Sequence, residues 1–127
     1  MILLLVLGFL SDVRPLTREQ ICATRWGLDH RFVTEAMKRE IARRSGIPRA
    51  SIVGRGRGPC CEIDHRMPRE LGGGDVIENL QLQPWAIAIQ KDRDENRLHR
   101  AVCAGTIDLA DAQQQMRDWT PPQGEPR

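Results

Sequence analysis

Apolar positions recur at helical spacing over residues 33–44 (VTEAMKREIARR), where Val33, Ala36, Met37 and Ile41 share one side with Glu40. Gly46 followed by Pro48 supplies a stop. Earlier, Thr17-Arg-Glu-Gln20 has the spacing of a capping box and predicts a short helix. The period then changes. Residues 60–65 (CCEIDH) read as a short strand, 68–76 (PRELGGGDV) as a glycine-rich loop, and 79–83 (NLQLQ) as an alternating return strand. Pro84 suits a helix start, and 86–104 reads as a helix closed by Gly105. Asp108 caps a last helix from Leu109 to about Trp119, and PPQGEPR follows as a disordered tail. Helices, then strand–loop–strand–helix, then a helix define an α+β class.

The first ten residues, MILLLVLGFL, are uninterrupted apolar sequence. Such a run is too short to span a bilayer, which needs about 20 residues. It matches the apolar region of a secretory signal, although no Lys or Arg precedes it and no small-residue cleavage site follows. A buried N-terminal strand is the alternative. The expected organisation is a signal remnant over 1–11, a basic helical region over 12–58, a strand–strand–helix core with its last helix over 59–119, and a tail over 120–127. An exported location is favoured over a cytoplasmic one, with no stable membrane association.

With 127 residues the chain fits one small domain, and without Tyr its large side chains reduce to three Trp and two Phe. The formal charge of +2 conceals an asymmetry. Up to Gly58 there are eleven Arg and Lys against five acids; from Pro59 there are eight against twelve. An Arg-rich half suits a polyanionic partner, although a solvated helix face accounts for it equally well. The four Cys contain no CxxC pair, so a structural zinc site is not expected. Adjacent Cys60 and Cys61 rarely bond, because the geometry is strained. In an oxidising compartment Cys22 and Cys103 could tie the N-terminal region to a later helix; in the cytosol all four would be buried thiols. The GRGRGP run over 54–59 lacks the GK[ST] ending of a phosphate loop and is read as a plain loop.

Candidate chemistry gathers in the strand–loop–strand–helix segment. An Asp directly before a His at a strand end, Asp64–His65, sends the two side chains to opposite faces, so one can bind a metal while the other faces a water. Asn79 on the return strand can brace the loop beside His65 through its amide. The helix that follows carries KDRDENRLH and can supply a further ligand.

The string Asp64-His65, then Leu71-Gly-Gly73, then Asn79-Leu80, with Lys91 on the helix, resembles the HNH endonucleases, the ββα-metal or His-Me finger group. The resemblance covers residues 62–92. It implies a ββα-metal core with flanking N- and C-terminal helices, His65 as general base, Asp64 as a metal ligand and Asn79 as the bracing residue. It also implies a divalent cation, Mg²⁺ first and Mn²⁺ or Zn²⁺ as alternatives. Arg66, Arg69 and Lys91 are placed to hold phosphates, with DNA expected ahead of RNA. A neutral His, titrating near pH 6.5, can take the proton of an attacking water, and a cation can stabilise charge on the phosphate. A further run, ENRLHRAVCAG into LADAQ, is similar to the C-terminal part of small bacterial proteins carrying this core.

The pattern departs from the family at Ala88, three residues before Lys91, where a third His or Asn ligand is usual. Asp92 lies one turn beyond Ala88, roughly 6 Å along the axis, and substitutes only if the helix is shifted. Glu95 and His99 continue that face; the first is expected in ion pairs with neighbouring Arg, the second as a packed His. Three functions therefore stand side by side. They are a metal-dependent endonuclease, a catalytically degraded module of the same fold that binds nucleic acid or a protein, and a small exported disulfide protein.

Overall fold

The computed structural model describes residues 12–52 and 60–122. The signal remnant expected at 1–11, the 54–59 loop and the end of the tail lie outside them. The chain runs through α1 (Arg18–Ala23), α2 (Glu35–Ser45), β1 (Glu62–His65), β2 (Leu80–Gln83), α3 (Trp85–Ala104) and α4 (Leu109–Arg117). The mixed α+β class holds, and the two strands form one antiparallel hairpin followed directly by α3.

The helix boundaries have local causes. Thr17 accepts from the Gln20 N–H, and the Gln20 side chain accepts from Thr17 in return, so two otherwise unmet donors are satisfied at the start of α1. Thr34 caps α2 in the same way through the Met37 N–H. The helix therefore begins two residues later than the apolar period alone predicts. Gly46 and Gly105 end α2 and α3 in the left-handed region, at φ 70° and 77°, where glycine carries no steric penalty. Asp108 stands at the start of α4 without a side-chain cap; its carbonyl accepts from Ala112 instead.

The hairpin pairs Glu62 with Gln83 and His65 with Leu80. Asn79 is drawn out of the expected strand into a 3₁₀ turn, Ile77–Asn79, because its amide is used by the loop it faces. The core lies between that loop, the second half of α3, and α4: Met67, Leu71, Leu98, Val102, Ala112 and Met116 pack together, with Val13, Ile107, Leu109 and Trp119 at the edges. Each such large side chain contributes about 1.5–3 kcal/mol on burial.

The boundary drawn at residues 58 and 59 does not separate two packing units. Val13 bridges to Gly73, Arg14 and Gly74 exchange backbone bonds with Gly72 and Asp12, and the Arg18 guanidinium donates to the carbonyls of Val102 and Cys103. Cys22 is disulfide-bonded to Cys103, with Cα atoms 5.6 Å apart. The Cys60 and Cys61 sulfurs are also paired, against the expectation from geometry. Among the described residues no helix is long and apolar enough to cross a membrane.

Candidate functional site

The loop between the strands is held from inside. Asn79 is completely buried; its Oδ1 accepts from the Met67 N–H at 2.8 Å, and its Nδ2 donates to the carbonyls of Met67 and Gly74, both at 3.0 Å. All three bonds go to the loop backbone, so Asn79 braces the residues after His65 and lies away from solvent. Gly73 makes this closure possible: a Cβ there would stand 1.8 Å from the Met67 carbonyl oxygen.

His65 ends β1, and its Nε2 lies 2.7 Å from Asp75 Oδ1. Asp75 can only accept when ionised, so Nε2 carries the proton and Nδ1 remains as the proton acceptor. Burial would raise the Asp75 carboxyl, but the Phe32 N–H, His65 and Arg69 outweigh it and hold the group below its ordinary value. Burial dominates at His65 and lowers its pKa despite the neighbouring Asp75 and Asp64, which keeps the ring neutral near pH 7.

Asp75 is itself fixed. Arg69 Nε donates to Oδ1 at 3.0 Å, and the Phe32 N–H donates to Oδ2 at 2.8 Å. Arg69 is 7% exposed; it also pairs with Asp29, donates to the His30 carbonyl and stacks 5.6 Å from the Trp26 ring. Expected as a phosphate holder, it is buried here and holds Asp75 and the α1–α2 connection, with Nη1 unpartnered among the described residues.

Across the same cleft, Glu62, Asp64 and Asp92 each offer a carboxylate oxygen, all within 4.8 Å of one another. The cleft, about 270 Å³, is also lined by His65, Arg31 and Glu95. Glu62 and Asp64 share a strand face at i, i+2, and Asp92 reaches them from the second turn of α3. Asp92, which the sequence placed one turn too far along, therefore stands beside Asp64. Ala88 is buried in the protein interior and offers nothing to this group.

Lys91, also expected to hold phosphate, is 2% exposed. Its Nζ donates to Asp64 Oδ2 at 2.9 Å, the His65 carbonyl at 2.8 Å and Glu95 Oε1 at 2.7 Å, which uses all three protons. Burial works against its charge, but Asp64 and Glu95 raise its pKa above the ordinary lysine value. Burial pushes the Glu95 carboxyl up to about 7 against the pull of Lys91. Glu95 pairs with Lys91 rather than with an Arg. His99 is packed, with Nδ1 2.8 Å from the Glu70 carbonyl. Arg66 is exposed and bonded to Gln81; the grooves it borders do not include His65, so it does not join the cleft.

Sequence reasoning missed Glu62, Asp75 and Arg31. Strand alternation from Asp64 carries a signal for Glu62. Asp75 follows three glycines with no periodicity to mark it, and Arg31 comes from a connection between helices. The chain matches no family model, no curated protein and no solved structure.

Proposed function

We propose that this protein is a metal-dependent endonuclease of the HNH type, hydrolysing phosphodiester bonds in nucleic acid. The observation that carries the reading is the meeting, in one cleft, of a neutral His65 oriented by Asp75 with the carboxylates of Glu62, Asp64 and Asp92. Asp64-His65, the glycine turn and Asn79 then stand as the matching parts of a ββα-metal core.

The donor set fits a hard divalent cation. Three carboxylates suit Mg²⁺ or Mn²⁺, whereas Zn²⁺ favours nitrogen and sulfur that this cluster lacks. Glu62, Asp64 and Asp92 would hold the ion, and Lys91 offsets part of their mutual repulsion. When bound, such a cation stabilises negative charge developing on the phosphate. The chain's own residues do the rest. His65 Nδ1 takes a proton from water, Asp75 fixes the ring and stabilises its protonated form, and Asn79 keeps the supporting loop in place.

Export is part of the same reading, supported by the Cys22–Cys103 bridge, since such bonds persist in oxidising compartments. The test is to incubate the protein with plasmid and structured RNA in Mg²⁺, Mn²⁺ or Zn²⁺, beside His65→Ala, Asp92→Asn and Glu62→Gln. Cleavage in Mg²⁺ or Mn²⁺ that all three substitutions abolish supports the reading. A folded wild type that binds both substrates and cuts neither would point to a degraded binding module.

A further inference from the structure

His65 borders a second cleft as well as the first. This one, about 450 Å³, is lined by Val33, Ile52, Ile63 and Trp85, with Arg31 and Lys38 among its charged residues. The two clefts have Arg31, Glu62, Ile63 and His65 in common, so they form one groove running past the His65 ring. The halves differ in chemistry: one is rich in carboxylates, and the other sets aliphatic side chains and an indole beside Arg31, Lys38 and Arg49.

Resting on the nuclease reading, we propose that the second cleft takes an unpaired nucleobase of the strand being cut, with Arg31 holding a phosphate of that strand at the junction. Its volume falls within the range of about 300–1,000 Å³ usual for sites that hold small organic groups. An indole with aliphatic neighbours suits the face of a base, and such stacking tolerates any base. The Trp85 Nε1–H is buried without an acceptor among the described residues. Arg31 is exposed, and no ion pair or side-chain hydrogen bond among the described residues engages Arg31 or Lys38. An exposed cation, Arg31, beside an apolar cleft matches a base joined to its phosphate.

The substrate class follows from geometry. A base in a duplex has both faces covered by its neighbours, so it enters such a cleft only after leaving the stack. The groove therefore selects single-stranded nucleic acid over duplex.

The experiment measures binding of the full chain under chelation, by fluorescence anisotropy. The probes are a short single strand, its duplex, and an abasic strand of equal length. Wild type is expected to bind the single strand about tenfold more tightly than the abasic strand, with the duplex weaker than the single strand. Trp85→Leu keeps an apolar side chain but removes the aromatic face and should erase that difference. Arg31→Ala, on an exposed side chain outside the core, should weaken single and abasic strands alike and lower the salt dependence. It keeps the test decisive if thermal melting shows that Trp85→Leu does not fold. Equal affinity for the three probes overturns the proposal. Added Mg²⁺ separates the two readings: duplex cut as fast as single strand removes the base cleft and leaves the nuclease. No cutting, with the single-strand preference intact, removes the nuclease and leaves the cleft.

Discussion

Asp75 accepts from His65 Nε2 at 2.7 Å while its other oxygen accepts from the Phe32 N–H at 2.8 Å. One carboxylate thereby sets the tautomer of the proposed base and ties it to the connection between α1 and α2. Asp75→Asn should keep the shape but lose the fixed charge and leave the His65 tautomer unspecified. Cleavage is expected to fall by about 10²-fold, within the range general base catalysis supplies. The rate at saturating Mg²⁺ checks this, with circular dichroism showing that the fold persists.

Lys91→Met removes a cation whose three protons are all used. Asp64 and Glu95 are then left without their partner in a buried setting, at a cost of about 3–5 kcal/mol. Urea unfolding under chelation measures it. Added divalent cation should restore more stability to this variant than to the wild type.

Gly73→Ala places a Cβ where the Met67 carbonyl already stands. The backbone has to move and the bonds made by Asn79 are disturbed, so a loss of at least about 2 kcal/mol is expected. A lowered urea midpoint with an unchanged m-value is the predicted signature.

The pH dependence of stability, measured under chelation, should carry opposing contributions from Glu95 and His65 in mildly acidic solution and a loss from Asp29 and Asp75 in stronger acid. Glu95 has its folded pKa raised to about 7 from an ordinary 4.5, so the folded state holds an extra proton between those values. Through Glu95, stability rises as pH falls from 7 towards 4.5, and Glu95→Gln should remove that contribution. His65, its pKa lowered by burial, contributes the opposite slope as pH falls through 6.5. Asp29 and Asp75 are held below their ordinary 3.8, Asp29 chiefly by its hydrogen bond from Arg69. Their contribution is complete above 3.8 and is lost as pH falls through the folded values. Asp29→Asn should make that acid limb shallower.

The Cys22–Cys103 bridge closes a loop with a sequence separation of 81. Restricting the unfolded chain to that extent is worth about 4 kcal/mol. Reduction, or the double change Cys22→Ser with Cys103→Ser, should lower the melting temperature, as read by calorimetry with and without a dithiol.

What could be read beforehand was local. Thr17, Gly46 and Gly105 mark helix ends through bonds made within a few residues, and the alternation after Asn79 marks β2. Thr34 was not read, and the helix it caps was expected to begin at Val33. Asn79 was named as a brace from the reach of its amide and from the family resemblance, with a plain strand-edge amide as the alternative. Lys91 misled because its burial depends on Asp64, a partner 27 residues away that no periodicity reports. Arg69 misled for the same reason, through Asp29 and Asp75. Asp92 was named but not placed: its height depends on α3 starting at Trp85, directly after the strand whose end pairs with Glu62.

The segment bearing Trp26 and Arg31 forms one wall of the cleft and is stitched to the end of α3 by the disulfide. The smallest transplantable unit is therefore not the hairpin with its helix, since a fragment cut from the strands onward would leave half the groove behind. For an engineer joining this protein to a sequence-reading domain, the junction belongs beyond Trp119, where Pro121 and Pro122 are exposed.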